Sequence, residues 1–236
     1  MIRFATKLAP IAGKIQLAWE CGFRHAEILL SREILEAGLE EILAEVPSLP
    51  MRFALHAPNK GPLSRDELEV MACLYRELEC TVMVIHEPVL LECGQALLDC
   101  CPEMRLGVEN SKHAEGELEG WAQRNRWLTL DIEHLWKYAL ADGSLKRLEE
   151  ALEDFLAAYG SKLIHVHLPG YIPGEAEHRP LSRNPDLALV AWDLLGRFGY
   201  RDFVVSETKS KLQTPENLRR DAELFRTWSA EQPAVA

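Results

Sequence analysis

The sequence predicts an α/β fold, a single closed (β/α)8 barrel (TIM barrel). Eight short apolar runs alternate with segments of helical periodicity, and this alternation is typical of a parallel sheet. The 236 residues suffice for eight strand–helix units, near the compact end of the usual size of such barrels. After the first run, Ala9-Pro10-Ile11-Ala12-Gly13 stands where a doubly wound open sheet would carry a glycine-rich phosphate loop, which disfavours that alternative.

The eight predicted strands are runs of five to seven residues, most of them rich in Val, Ile, Leu and Phe. This length and composition favour buried strands over helices. In chain order the predicted strands are Ile2–Leu8, His25–Leu30, Arg52–Ala57, Thr81–His86, Arg105–Glu109, Trp127–Asp131, Lys162–Leu168 and Asp202–Glu207.

Start signals precede four of the predicted helices. Ser64 and Glu67 form a capping box before the helix that follows the third strand. Asn184-Pro185 and Thr214-Pro215 each place a capping residue before a proline at the first helical position. The helix that follows Ser144 ends at Gly160. Helical spacing alone predicts the others, which are the face of Ile11, Ile15 and Ala18 and the segments Ser31–Ala44, Val89–Leu98 and Glu115–Arg124.

Composition indicates one globular domain over residues 1–228, with Ser229 to Ala236 as a flexible tail. Apolar residues make up 47% and charged residues 27% of the chain. An uncharged apolar stretch of 18 residues is absent from the sequence, which excludes a transmembrane helix, and the N-terminus lacks the order of a signal peptide. We therefore expect a cytoplasmic location. The six cysteines contain no Cys-x-x-Cys pair and are expected to be reduced thiols without a chemical role.

The charge balance argues against nucleic acid as a partner. The chain has 26 basic and 37 acidic residues, a formal net charge of -11. A nucleic-acid-binding protein needs Lys and Arg to neutralise phosphates. A small, polyhydroxylated substrate agrees better with this composition, and homo-oligomer formation is left open.

Six successive predicted strands end in a histidine or a carboxylate. These residues are His56, His86, Glu109, Asp131, His167 and Glu207. The active-site face of a barrel lies at the carboxyl ends of its strands, so inward-facing side chains converge there. Three converging carboxylates repel one another unless a cation lies between them. With the imidazoles they indicate a divalent ion such as zinc, manganese, iron or cobalt, although each residue alone is also typical of a helix cap or a satisfied polar position.

Further polar residues lie in the predicted loops at this face. His134 follows the sixth strand, and His178 and Arg179 lie in the long loop from Pro169 to Asn184. Loops of this length in a compact barrel are usually functional. We expect this loop to fold over the mouth and to bring His178 or Arg179 to the substrate or to a second ion. Lys209 follows the eighth strand, where barrels commonly hold a phosphate, and is either an anion contact or a solvated lysine.

Short motifs at these strand ends resemble those of a known superfamily. The motifs are Leu55-His56-Ala57-Pro58, Val84-Ile85-His86, Gly107-Val108-Glu109-Asn110, Leu130-Asp131-Ile132-Glu133-His134, His165-Val166-His167 and Ser206-Glu207-Thr208. On these motifs the chain resembles the xylose isomerase-like, or endonuclease IV-like, superfamily of metal-dependent (β/α)8 barrels. The resemblance runs from the third strand to the eighth, and it implies a metal-dependent enzyme without selecting the reaction.

The sugar isomerases and epimerases of this superfamily hold one divalent ion (Mn, Zn, Mg or Co) with four side chains. The resemblance places these ligands at Glu109, Asp131, His167 and Glu207. It implies that Glu109 and Glu207 also serve as acid and base, and that His134 contacts the substrate. Pro173 stands where those epimerases often carry an arginine, so Arg179 is the alternative substrate contact in this loop.

The endonuclease IV branch binds three zinc ions, and the resemblance implies overlapping ligand sets for them. The first set corresponds to His56, His86 and Glu109, and the second to the four ligands given above. The third needs His134 and a later Asp-x-His, for which His178 is present but Ala176 replaces the aspartate. The four histidines at positions 56, 86, 134 and 178 are therefore expected to bind either a second ion or the substrate.

Three functions follow from the sequence. We prefer a sugar or small hydroxy-carbonyl isomerase or epimerase with one divalent ion, and a second ion is left open. The alternative is a metal-dependent phosphodiesterase that acts on damaged DNA. His56 and His86 favour this function, whereas the net charge and the missing aspartate at Ala176 oppose it. The third is a barrel that binds a ligand without catalysis, which the near-complete ligand set opposes.

Overall fold

The computed structural model describes residues 1–11, 13–46 and 49–232, and its eight parallel strands form a closed barrel in sequence order. The strands are β1 (Arg3–Leu8), β2 (His25–Leu29), β3 (Arg52–His56), β4 (Met83–His86), β5 (Leu106–Glu109), β6 (Leu128–Asp131), β7 (Leu163–His167) and β8 (Phe203–Ser206). The barrel closes where β1 pairs with β8, with Thr6 opposite Ser206. The predicted fold class is confirmed, and each strand begins and ends within two residues of its prediction.

Helices follow the strands on the outside of the barrel. In the described part of the chain they are α1 (Lys14–Glu20), α2 (Arg32–Ala37), α3 (Leu39–Glu45), α4 (Arg65–Glu77), α5 (Glu87–Cys100), α6 (Glu115–Arg124), α7 (Ile132–His134), α8 (Leu145–Tyr159), α9 (Pro185–Arg197) and α10 (Pro215–Glu231). The predicted caps are present. The side chain of Ser64 accepts a hydrogen bond from the backbone of Glu67, and Ser144, Asn184 and Thr214 make the equivalent bonds for α8, α9 and α10.

Three segments differ from the sequence prediction. Ser31–Ala44 is divided into α2 and α3 at Gly38, whose φ of 97° interrupts the helix. After β6 the chain forms the short α7 and then a π-helical turn, Leu135–Ala139, for which the periodicity gave no signal. Helix α10 continues through Ser229 to Glu231, into the predicted tail, and residues 233–236 lie outside the described residues.

Apolar side chains form two layers that position the site. The larger layer packs the helices against the outer face of the barrel. The smaller one fills the barrel interior with Ala5, Ala54, Val82, Val84, Ile164, Phe203 and Val205. On β1, β3, β4 and β8 a polar side chain, Lys7, His56, His86 or Glu207, follows this plug two residues further along the chain. All six cysteines are free thiols, and none of the helices in the described ranges is long and apolar enough to cross a membrane.

Candidate metal centre

The structure brings the six predicted strand-end residues together at the carboxyl end of the barrel. Four of them, His56, Glu109, Asp131 and His167, are buried, whereas His86 and Glu207 are half-buried at the mouth. Their nitrogen and oxygen atoms form overlapping groups in which candidate ligand atoms lie within 4.8 Å of one another. The convergence that strand geometry led us to expect is therefore present.

The central group consists of Asp131, His167 and Glu207. One atom of each, Asp131 Oδ2, His167 Nδ1 and Glu207 Oε2, is buried and has no hydrogen-bond partner. Leaving such atoms unsatisfied costs about 1–3 kcal/mol each. His167 Nδ1 lies 3.2 Å from Glu207 Oε2, close to the separation of two atoms that each bind one ion at about 2.1 Å. These residues fit a divalent cation in both donor chemistry and spacing.

Glu109 lies between this central group and the two histidines of β3 and β4. Its Oε2 is 3.1 Å from His56 Nε2, 3.3 Å from His86 Nε2 and 3.7 Å from His167 Nδ1. The His56, His86 and Glu109 atoms form a second group within 4.8 Å. A carboxylate in this position can contribute an oxygen to either group, so the geometry accommodates one ion or two.

Asp131 and His134 are held by Asn110, which follows β5. The Asn110 side chain accepts a hydrogen bond from Asp131 N at 2.6 Å and donates one to Asp131 O at 3.0 Å. His134 Nδ1 lies 2.8 Å from the Asn110 carbonyl oxygen, so this nitrogen carries a proton that it donates. Burial would lower the pKa of His134, but the neighbouring Asp131 and Glu109 carboxylates raise it, and Nε2 is the ring nitrogen that is not bonded to Asn110. The backbone N–H of His134 also donates a hydrogen bond to Asp131 Oδ1 at 2.9 Å.

The negative charges of the carboxylates in the cluster are compensated by the protonated side chains of Lys7 and His167. Burial alone would raise the pKa of Glu207, but Lys7 and His167 outweigh it and hold that pKa well below its ordinary value. Burial would likewise raise the pKa of Glu109, and the His167 charge lowers it. Burial and the neighbouring glutamates raise the pKa of Asp131, against the pull of His134. A divalent cation would replace the protons that now compensate these carboxylates.

Sequence reasoning assigned no role to two charged residues beneath the centre, Lys7 on β1 and Glu27 on β2, although alternation along β2 allows Glu27 to face the barrel axis. Lys7 Nζ lies 2.6 Å from Glu207 Oε1 and 3.3 Å from Glu27 Oε1. Glu27 Oε2 accepts hydrogen bonds from His165 and His167. The available signal was a lysine and a glutamate inside otherwise apolar strands, because inward charges in a barrel need partners.

The loop that joins β7 to α9 returns to the barrel mouth, and His178 is the part of it that approaches the cluster. His178 Nδ1 lies 3.8 Å from Glu207 Oε2. The His178 N–H donates to the buried Glu133 carboxylate at 3.0 Å, and burial raises the pKa of Glu133 to about 8. Arg179 instead pairs with Glu175 of the same loop at 3.2 Å.

A cavity of about 270 Å³ opens beside the centre. Its lining includes Lys7, Asn59, His178, Glu207 and Lys209, so the predicted Lys209 borders this cavity. A larger cavity of about 710 Å³ lies outside the barrel, between α5 and the chain around residue 127, away from the histidines and carboxylates. The smaller cavity is the candidate substrate pocket because it adjoins the convergent polar groups.

The fold and the buried cluster define a class, the (β/α)8 barrels with histidines and carboxylates at the carboxyl ends of their strands. No protein-family model and no curated protein matches the sequence. Among solved structures, the chain is similar to a D-tagatose 3-epimerase-like protein, with 15% identity and a TM-score of 0.65 over 97% of each chain.

Two other similar structures show how far this likeness extends. One is the IOLI protein with a binding zinc atom, with 17% identity and a TM-score of 0.63 over 99% of this chain and 100% of that one. The other is dihydropteroate synthase from Thermus thermophilus, with 17% identity and a TM-score of 0.59 over 98% of this chain and 93% of that one. At such identities the similarity establishes the fold, and the function must be argued from the site.

Proposed function

We propose that the protein is a divalent-metal-dependent isomerase or epimerase of a small hydroxy-carbonyl compound such as a sugar. The observation that carries the proposal is the convergence of three buried, unpartnered ligand atoms on Asp131, His167 and Glu207. Glu109 is the proposed fourth ligand. The bound ion would polarise the substrate carbonyl as a Lewis acid.

In the proposed reaction Glu109 and Glu207 transfer the proton beside the carbonyl. Both carboxylates have lowered pKa values and are ionised at neutral pH, so either can accept a proton from carbon. Lys7 holds one oxygen of Glu207, which fixes the direction of the other. His134 Nε2 can form a hydrogen bond to a substrate hydroxyl, because Nδ1 is already bonded to the Asn110 carbonyl oxygen.

The size and lining of the pocket support a small polar substrate. A volume of about 270 Å³ is just below the range of drug-sized pockets. We assign substrate contacts to His134, His178 and Lys209, and Arg179 would join them only after leaving Glu175. D-tagatose, the sugar in the name of one similar structure, is therefore a reasonable first probe.

A second candidate function is metal-dependent hydrolysis of a phosphodiester. The group of His56, His86 and Glu109 favours it, because two ions can hold both oxygens of a displacement at phosphorus. The net charge of -11 opposes a DNA substrate. The number of ions per chain distinguishes the two functions, since the isomerase needs one.

Metal content and hydrogen exchange test the proposal together. The purified protein is loaded separately with Mn²⁺ and Zn²⁺, and bound ions are counted. It is then incubated in D2O with D-tagatose and a panel of ketopentoses and ketohexoses, and NMR follows the exchange of the hydrogen beside the carbonyl. We expect one ion per chain and metal-dependent exchange with at least one sugar.

Glu207→Gln should weaken ion binding and abolish exchange, whereas Glu153→Gln, which removes a carboxylate paired with Arg197 on the outer surface, should change neither. An absence of bound ions, or full exchange by Glu207→Gln, contradicts the proposal. Efficient cleavage of abasic-site DNA at low salt with two or more ions per chain supports the hydrolase instead.

A further inference from the structure

Glu27 is a fully buried carboxylate in the barrel interior, on β2, a strand that supplies none of the proposed ligands. Its relative exposure is 0%. The interior of such a barrel is normally filled by branched apolar side chains, and burying a carboxylate there is costly unless it is paired. The contacts of Glu27 therefore indicate what the carboxylate does.

One oxygen of Glu27 accepts two hydrogen bonds from β7. Oε2 lies 2.6 Å from His165 Nε2 and 2.9 Å from His167 Nε2. The other oxygen, Oε1, lies 3.3 Å from the ammonium of Lys7. Since a carboxylate has no proton to give, both imidazole Nε2 atoms must be the donors.

This arrangement determines which nitrogen of His167 faces the centre. A bound ion would replace the Nδ1 proton of the charged His167 ring, and with Nε2–H directed at Glu27 the lone pair that faces the ion lies on Nδ1. Nδ1 is the atom that is buried, unpartnered and 3.2 Å from Glu207 Oε2. Glu27 thus fixes both the tautomer and the rotation of the ring.

We infer that Glu27 is a positioning residue for the metal centre: through His167 Nε2 it presents Nδ1 to the ion, while Lys7 balances its charge. The inference rests on the proposed metal-dependent function. An alternative is that Glu27, His165 and His167 themselves bind an ion, because their atoms also form a compact group. The contacts at 2.6 and 2.9 Å are ordinary hydrogen-bond lengths, and the nearby ammonium repels a cation.

The test measures ion affinity in Glu27→Gln and Glu27→Leu. Dissociation constants for Mn²⁺ and Zn²⁺ are obtained by competition with a chromophoric chelator. Removal of a group that orients a ligand histidine typically weakens metal binding 10- to 100-fold. We expect about 10-fold for Glu27→Gln, whose amide oxygen can still accept, and about 100-fold for Glu27→Leu.

Co²⁺ provides a readout that a merely structural role would not change. The visible absorption bands of the Co²⁺-loaded protein report the geometry of the ligands, and we expect them to shift in Glu27→Gln. His25→Gln is the matched control, because His25 lies two residues earlier on the same strand and contacts Phe203 of the apolar plug. It should leave the affinity and the bands unchanged. Circular dichroism and urea unfolding identify any variant that fails to fold. If Glu27→Leu fails to fold, the result for Glu27→Gln decides alone.

The outcomes separate this inference from the proposed function. If the wild-type protein binds no ion, both fail. If it binds an ion and Glu27→Gln has the same affinity within twofold and the same Co²⁺ spectrum, the proposed function stands and the positioning role is overturned. If the wild type binds two ions and Glu27→Gln loses one while the other keeps its affinity, Glu27 is a ligand and the positioning role is also overturned.

Discussion

Replacing Lys7 with methionine should destabilise the metal-free protein much more than the loss of a surface ion pair. Lys7 is 8% exposed, and its ammonium lies between Glu207 and Glu27. Burial would lower the pKa of Lys7, but the two carboxylates raise it, so the side chain stays charged at neutral pH. Lys7→Met nearly preserves the side-chain length and takes the ammonium away from the buried Glu27 carboxylate and the half-buried Glu207 carboxylate.

The contact distances set the size of the effect. At an effective dielectric constant of about 20, the attractions across 2.6 and 3.3 Å are about 6 and about 5 kcal/mol. The desolvation of the ammonium offsets several kcal/mol of this sum. We therefore expect a loss of about 4 kcal/mol in the free energy of unfolding, within the range measured when one partner of a buried pair is removed.

A bound divalent ion should reduce this loss. The ion supplies positive charge to Glu207, so the loss in the ion-saturated protein should fall to about 2.6 kcal/mol. A thermodynamic cycle then requires that the Lys7→Met variant bind the ion about tenfold more tightly than the wild type.

Urea unfolding followed by tryptophan fluorescence, in EDTA and in saturating Mn²⁺, measures both quantities. Lys137→Met is the control, because Lys137 pairs with Glu177 at 2.5 Å while remaining 28% exposed, and its loss should cost no more than about 1 kcal/mol. A loss below about 1 kcal/mol for metal-free Lys7→Met, or weaker ion binding by that variant, would refute the electrostatic reasoning.

Three further predictions concern the loop and the centre. A Cβ on Gly170 would overlap the Pro180 carbonyl. Gly170→Ala should therefore lower the free energy of unfolding by about 1–3 kcal/mol and make the loop sensitive to limited proteolysis. A loop that resists the protease as it does in the wild type contradicts this prediction. The hydrogen bond from Lys137 lowers the pKa of Glu177 to about 2. The ionised Glu177 therefore adds to the free energy of unfolding above pH 4.5, and this stabilisation is lost as the pH falls towards 2. The difference in free energy of unfolding between wild type and Glu177→Gln, about 1 kcal/mol at pH 7, should disappear over that window. Asn110→Ala removes both hydrogen bonds that hold the terminal residue of β6, and chelator competition should show about tenfold weaker ion binding, with an unchanged affinity as the contrary result.

The strands and most helices could be predicted because local signals and the fold agree. The apolar runs of the barrel are buried on both faces, so their limits are visible in composition alone. Gly38 carries a local signal as well, yet a weak amphipathic pattern across Ser31–Ala44 masked the break between α2 and α3. The π-helical turn after α7, in which Leu135, Trp136 and Ala139 are buried, leaves no α-helical period in the sequence.

Strand geometry predicted the part of the site that is formed by side chains at the strand ends. Alternation along a strand indicates which residues face the axis, and it placed His56, Glu109 and His167 together. It does not indicate which strands lie across the barrel from one another, so the contact of Glu27 with His167 was not foreseen. Pairings of that kind depend on side-chain length and ring orientation.

The closure of the barrel between β1 and β8 has a consequence for the newly made chain. Lys7 and Glu207 are 200 positions apart, so the cation leaves the ribosome long before the carboxylate that it contacts most closely. Until then Lys7 has a nearby counter-ion in Glu27, its direct register partner on the adjacent strand. A nascent chain that ends before β8 therefore has a neutral pair inside an unfinished sheet and lacks the last acidic group of the mouth. The central group of Asp131, His167 and Glu207 is therefore incomplete until β8 is added, and tight capture of an ion there would mark that moment.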